Sequence, residues 1–506
     1  MNNPIIATEN TGKRKMMLFA CLLFLAVFSL AFRYLTSGTV ESGGDAVYKW
    51  SVIKQFVLFG DVPARLNHHT CRWSVNIPVF FLQKYLGTGP TTYYVWPFLT
   101  STLSAIFGFL LMERLRSWRI GLAAGVLIIM SDPMMRQGTQ LLPMGTAVSF
   151  LLGAVYFFVR WRDDGCSRNI AASSLLLFFA YGAKITIIYY VPAFLVLIYL
   201  FAGNLRTRFY TSLCFLGIFI ALFVVETYSF NMLTGSSFGR MELIQSSHRP
   251  IRTIASSAIT NDWQYSFNSV FQYLCNFFVY FKYPGRAPAV LYYIAFVISV
   301  FALAKKWPNT SAAAIPFLFG FFGHAYAVTS VFPFVRPERI LFRYQSAIFE
   351  LALLTLVLFL SAPRFKGTAT KYKLPFKAGD RAIRIILFLV LASPIAISAI
   401  KHIHWVDNGY KRTARTAAIV RQAREDKVPV FILREDEEKE SIKQIIKYYA
   451  LYTDTHYFGQ VPWNREHDIR LSDFPAIERD GKEFLMVERN GHTDELDGKA
   501  IYLERF

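Results

Sequence analysis

The sequence predicts a polytopic α-helical membrane protein with a small α/β domain at its C-terminal end. Three observations carry that prediction. The chain of 506 residues is 54% hydrophobic, contains 48 phenylalanines and is only 17% charged, where soluble domains run near ~25% charged. Its mean hydropathy is positive, +0.33. The shortage of charge is also local: residues 16 to 400 hold long apolar runs, whereas 402 to 506 read as an ordinary soluble sequence.

A helix crosses a bilayer with about 20 mostly apolar residues. The stretches that qualify are Met16–Leu35, Tyr93–Leu115, Ile120–Ser131, Leu141–Val159, Ile170–Gly182, Ile185–Ala202, Tyr210–Phe230, Ala289–Ala304, Ala312–Phe332, Ile340–Ser361 and Ile383–Ile400. They make about eleven spans, some short of a full crossing, as helices ending at a buried watery cavity can be. The first follows Lys13-Arg14-Lys15 and is too long for a signal-peptide core, so it reads as a retained span.

The net charge of +20 does not form one basic stripe, which argues against nucleic acid as a partner. With the N-terminus in the cytoplasm, the basic residues mark every second connection. They are Lys13-Arg14-Lys15, Arg114/Arg116/Arg119, Arg160/Arg162/Arg168, Arg206/Arg208, Lys305-Lys306 and the run from Arg364 to Arg384. The positive-inside rule produces this register, and an odd span count sends the C-terminus to the far side. The five cysteines show no CxxC and no paired spacing, hence neither a disulfide framework nor a zinc site.

The expected organisation is a membrane domain over 1–401 and a soluble extracytoplasmic α/β domain over 402–506. Far-side loops span 36–92 and 231–288. The first loop carries two amphipathic stretches, Ala46–Phe59 and Ile77–Tyr85, that suit interfacial helices. The aromatic stretch Trp263–Tyr283 is read as interfacial too, because a twelfth span would break the charge register. In the C-terminal part, Arg412–Asp426 and Glu437–Leu451 read as helices, and Val428–Leu433, Glu483–Val487 and Ala500–Leu503 as strands. No Gly-rich phosphate loop marks a nucleotide site there.

Asp45 follows Glu41-Ser-Gly-Gly just beyond the first span. Its bland reading is a helix cap, and a catalytic reading needs partners on the same side. Asp132, followed by Arg136, ends the third span, Lys184 separates two apolar stretches, and Arg336, Glu338, Arg339 and Arg343 crowd one short connection beside Tyr344. Ionisable groups at span ends are costly and are functional candidates. Lys184 could instead snorkel to the interface. The three arginines stand where the charge rule expects few cations, and their forked guanidinium groups suit a phosphate. His68-His69 and Arg72 in the first loop read more simply as a solvated surface than as a metal site.

This layout resembles the GT-C superfamily of membrane glycosyltransferases, close to its protein O-mannosyltransferase and lipid A aminoarabinose transferase branch. Those enzymes place an acid in the first extracytoplasmic loop, as Glu41 to Asp45 does. The segment Thr100–Gly108 running into Leu115-Arg116, the hairpin Ala180–Lys184 with Tyr190–Pro192, and Arg339–Tyr344 are similar to their later segments. Two departures stand out: the stretch Gln140–Met144 carries no acid, and the first loop lacks an adjacent acidic pair. The resemblance implies a sugar donor on a polyprenyl phosphate, an extracytoplasmic acceptor (glycan, lipid or protein), inverting transfer and no nucleotide sugar. It implies Asp45 as general base, with Lys184, Arg336, Arg339, Arg343 and Tyr344 at the donor phosphate and Asp132 or Glu338 as a second acid. A divalent metal is left open, and a bacterial inner membrane suits the chain better than an endoplasmic reticulum. Two other readings stay open: an O-antigen-type polymerase or ligase, which would not need Asp45, and a secondary transporter, which would show an internal repeat of spans.

Overall fold

In lipid the backbone must satisfy its own hydrogen bonds, and a helix does so within one segment. The structure is a computed structural model. It describes residues 11–40, 45–60, 69–236, 239–244, 266–267, 270–275, 277–278, 280, 288–327, 334–335, 345–362, 379–454, 471–489 and 500–504. Each predicted span is helical over most of its described part, with a few residues at the ends outside the helix. The spans become α1 (Thr11–Thr36), α4 (Pro90–Leu115), α5 (Trp118–Met130), α7 (Pro143–Asp164), α8 (Ser167–Ala183), α9 (Val191–Phe201), α10 (Leu205–Thr234), α12 (Pro288–Ala304), α13 (Pro308–Tyr326), α14 (Ser346–Leu360) and α15 (Gly379–Trp405). Ahead of α9, Ile185–Tyr190 winds as a 3-10 helix. Of Trp263–Tyr283, the described part holds β1 (Ser266–Phe267) and the short α11 (Val270–Cys275). β1 pairs antiparallel with β2 (Phe334–Val335).

The chain divides into two compact units. One comprises Met1–Phe32, Thr100–Gln137 and Pro143–Lys401, and the other Arg33–Leu99, Gly138–Leu142 and His402–Phe506. In the first unit, α1 turns Phe19, Leu23, Val27 and Leu30 outward, each at least 47% exposed, while Leu25 is fully buried. α10 likewise exposes Leu213, Ile220, Val224 and Tyr228. Apolar faces of that size are stable against lipid and not against water. Four helices among the described residues, α1, α4, α7 and α10, are long and apolar enough to cross a bilayer. The chain is an integral membrane protein.

Small and hydroxylated residues let these helices approach closely, as expected where lipid offers no hydrophobic drive. Ser173 Oγ on α8 donates to the Ala154 carbonyl of α7 at 2.8 Å, and Ser174 Oγ to the Phe215 carbonyl of α10 at 2.7 Å. A β-carbon at Gly121 would lie 2.6 Å from the Phe109 carbonyl oxygen. At one end of the unit the polar groups interlock. Arg14 Nη2 reaches Glu113 at 2.7 Å, Arg114 Nε reaches Asp163 at 2.7 Å, and Arg162 Nη1 reaches Asn309 at 3.1 Å. The ends of α1, α4, α7 and α13 that the charge pattern assigns to one side therefore meet at one side.

In the second unit the segment from 402 onward does not stand alone; it shares its unit with the first loop. The two amphipathic stretches fold as α2 (Asp45–Phe59) and α3 (Trp73–Leu86). α3 exposes Ile77, Phe81 and Tyr85, a stripe at helical spacing that fits a membrane interface. α2 differs from a simple interfacial helix, because it buries Lys49, Lys54 and Gln55 as well as Val47 and Trp50. The reason is α17 (Glu438–Tyr452), which covers it and supplies acceptors: Lys54 Nζ donates to the Thr453 carbonyl at 2.6 Å and pairs with Asp454 at 2.9 Å.

α16 (Gly409–Glu425) and α17 pack beside a four-stranded sheet ordered β4-β5-β3-β6, formed by Ala476–Arg479, Lys482–Glu488, Val430–Leu433 and Ile501–Leu503. β3 runs antiparallel to β5 and parallel to β6. Its buried Val430, Phe431 and Ile432 make it the centre of this core.

Candidate active site

Asp45 opens α2, where an anion is favoured by the unpaired N–H groups of the first turn. Its Oδ1 lies 3.6 Å from His69 Nε2, with the Asp45 side chain 27% and the His69 side chain 2% exposed. The imidazole is fixed by its surroundings. Tyr48 meets it edge-on with ring centroids 5.6 Å apart, and Asn76 Nδ2 donates to the His69 carbonyl at 3.1 Å. Lys49, one turn along α2, donates from Nζ to the Asp45 carbonyl oxygen at 2.8 Å. Asp45 is thus a half-open carboxylate with a cation and a buried imidazole beside it. Helix initiation and chemistry do not exclude each other here, since the helix uses the residue's position and a base would use its partly exposed carboxylate.

His69 corrects the expectation of a solvated histidine pair. The packing of α3 beside α2 buries it, as it also buries Arg72 at the head of α3. His68, Glu41 and Asp61 lie outside the described residues.

Lys184 and Asp132 belong to the first unit. Lys184 ends α8, where its N–H caps the Ala180 carbonyl at 3.0 Å. At 6% exposed it does not snorkel into open solvent. The carbonyls of Gly182 and Tyr181, two and three residues before Lys184, accept from Arg240 at 2.7 and 2.8 Å. Arg240 also stacks on the Tyr181 ring with 4.3 Å to the centroid and pairs with Glu226 at 3.1 Å, both side chains 5% exposed or less. A cation here complements the C-terminal dipole of α8. The Glu226–Arg240 pair holds the turn that presents Lys184.

Asp132 begins α6 (Asp132–Gln137) and accepts from Ser398 Oγ at 3.3 Å. Next to it, Ser131 Oγ donates to Glu350 Oε1 at 2.6 Å, and Glu350 is fully buried on α14. The structure therefore bonds the residue next to Asp132 to a further acid, Glu350, that the sequence alone does not single out. The signal was there: Glu226 and Glu350 are carboxylates inside otherwise apolar runs, a costly placement. Arg240 gave no such signal, sitting in a polar stretch of the sequence.

Arg336, Glu338, Arg339, Arg343 and Tyr344 lie outside the described residues. Among the described residues, no group of three or more His, Cys, Asp or Glu side chains is placed to hold a metal ion.

No family model matches this sequence, and no curated protein matches it. Solved structures do. The Archaeoglobus fulgidus oligosaccharyltransferase in complex with zinc and sulfate matches with a TM-score of 0.50 at 12% identity, over 86% of this chain and 58% of that one. The same enzyme tethered to an acceptor peptide matches with a TM-score of 0.49 at 13% identity, over 87% and 60%. ArnT from Cupriavidus metallidurans in the apo state matches with a TM-score of 0.45 at 12% identity, over 94% and 98%. The chain spans about three fifths of the oligosaccharyltransferase's length. The match at a TM-score of 0.50 shows that the chain shares its fold with that oligosaccharyltransferase.

Proposed function

We propose that this protein transfers a sugar from a polyprenyl-phosphate-linked donor to an extracytoplasmic acceptor. The observation that carries the reading is Asp45, a half-open carboxylate just past the first membrane helix, beside the buried His69. In the proposed step, Asp45 takes the proton of an acceptor hydroxyl or amine. The freed lone pair attacks the anomeric carbon, the bond to the phosphate oxygen breaks, and polyprenyl phosphate leaves. Attack opposite the leaving group inverts the anomeric centre. General-base help of this kind contributes about 10²–10⁴ in rate.

The leaving phosphate needs fixed positive charge as its own charge develops. Lys184, Arg336, Arg339 and Arg343 are the proposed source, with Tyr344 beside them. The buried placement of Lys184 and the Glu226–Arg240 brace behind it support a fixed cation at that point. Asp132 and Glu338 are the proposed second acids. The C-terminal segment, which shares a unit with the Asp45 loop, is proposed to lie on the extracytoplasmic side of a bacterial inner membrane.

The test is a transfer assay. Purified protein is incubated with radiolabelled polyprenyl-phosphate sugars and candidate acceptors, and products are separated by thin-layer chromatography. Transfer with inverted anomeric configuration supports the reading, whereas retention of configuration or use of a nucleotide sugar alone overturns it.

A further inference from the structure

A polar cavity lies wholly within the unit that contains the C-terminal segment. Its volume is about 690 Å³, and it is lined by the turn Leu86–Thr92, by Ala414, Ala417, Ala418, Arg421 and Arg424 of α16, and by Leu451, Tyr452 and Asp454. That volume falls within the ~300–1,000 Å³ of ligand sites. Three alanines on two adjoining turns of α16 keep one wall low, and Gly87 at φ +90° turns the opposite lip.

The polar atoms facing this space are already half-committed. Arg424 binds Glu488 through Nε and Nη2, at 2.9 and 2.5 Å to Oε1, and none of these bonds uses its Nη1. Asp454 takes both of its contacts on Oδ1, from Lys54 at 2.9 Å and Thr88 Oγ1 at 3.0 Å, which leaves Oδ2 to the cavity. Arg421 is exposed on α16. Of the three charged lining residues, Arg424 pairs with Glu488 and Asp454 with Lys54, both partners outside the lining, and Arg421 remains as surplus positive charge. The cavity offers guanidinium donors, one carboxylate acceptor, the threonine hydroxyls of Thr88 and Thr91, and Tyr452 in its lining.

We infer that this cavity binds an acidic sugar, one carrying a phosphate or a carboxylate, with Arg421 and Arg424 on the anionic group and Asp454 Oδ2 and Thr91 on the ring hydroxyls. A planar guanidinium fork matches either anion. A carboxylate oxygen beside donors suits a hydroxyl, which both gives and accepts. Neither side of this assignment depends on the transfer chemistry at Asp45.

Isothermal titration of the detergent-purified full chain tests it, with glucose 1-phosphate, inorganic phosphate and glucose as probes. Glucose 1-phosphate should bind with one site per chain, at least tenfold tighter than either of the others, and more weakly as salt rises. Arg421→Ala and the space-filling Ala418→Trp, both at exposed positions of α16, should each weaken it tenfold or more while leaving the melting temperature unchanged. No binding by the unaltered protein overturns the inference, as does binding that neither variant weakens. Equal affinity for inorganic phosphate reduces the site to a simple anion site and overturns the sugar assignment. If anionic phosphatidylglycerol in nanodiscs abolishes glucose 1-phosphate binding where phosphatidylcholine does not, the ligand is a lipid headgroup and not a sugar.

Discussion

The Asp45 carboxylate faces the Nε2 of His69 across 3.6 Å, and the imidazole that holds it there is almost entirely removed from solvent. A buried ring packed against Tyr48 cannot rotate away without opening the packing between α2 and α3. His69 is a positioning residue for Asp45 in this account. His69→Phe keeps a ring against Tyr48 and removes Nε2. It should lower turnover by about tenfold while leaving KM for the donor unchanged. An equal loss of thermal stability and activity would mark the histidine as merely structural.

The pair Glu226–Arg240 braces the turn before Lys184. Removing one partner of a buried ion pair leaves an uncompensated charge and costs about 3–5 kcal/mol, whereas replacing both is often neutral. Arg240→Met should therefore lower the melting temperature of the purified protein far more than the double change Glu226→Met with Arg240→Met. Additive losses in that double-mutant cycle would show that the two do not act as a pair.

Much of this architecture was legible in the sequence because the bilayer constrains it. Apolar runs of about 20 residues must be helical in lipid, so Met16–Leu35 and Tyr210–Phe230 map directly onto α1 and α10. The short run Ile185–Ala202 was only partly legible: its first third winds as a 3-10 helix, and hydropathy does not separate the two helix types. The strand Ala476–Arg479 escaped notice because its alternation is polar, with Ala476, Glu478 and Arg479 all exposed.

The site was less legible than the scaffold. Asp45 could be named from its place after the first span, yet its partner His69 could not. Its burial depends on how α3 lies against α2, and no local pattern encodes that. Lys54 was hidden for the same reason, since its partner Asp454 lies 400 residues away in the chain. Burial disfavours the Lys54 ammonium and outweighs the carboxylate beside it, lowering its pKa. The more exposed Asp454 pays less for its charge, and the pairing holds its pKa below the usual range in spite of burial.

Lys447 on α17 gives a pH-dependent test of the second unit. Burial, aided by the nearby Arg412, pushes its ammonium down to about 7, from ~10.4 for a free lysine. Between those values the unfolded chain holds a proton that the folded chain does not, so stability rises with pH from about 7 to about 10. Below about pH 7 the penalty is fully present. Lys447→Met should flatten this dependence and stabilise the unit at pH 6 by on the order of 2–4 kcal/mol. Pulse proteolysis of the C-terminal segment across pH 6–9 measures it, and a profile unchanged by the substitution would exclude Lys447 as the titrating group.

The central claim rests on Asp45 as the base, and Asp45→Asn in a purified transfer assay tests it most directly. Asparagine begins a helix about as well as aspartate, so a purely structural Asp45 predicts a nearly silent change. A base predicts turnover lower by about 10²-fold or more, with expression, melting temperature and donor binding unchanged. Near-normal transfer by the Asp45→Asn protein would contradict the account and move the search for the base to Asp132 or Glu338.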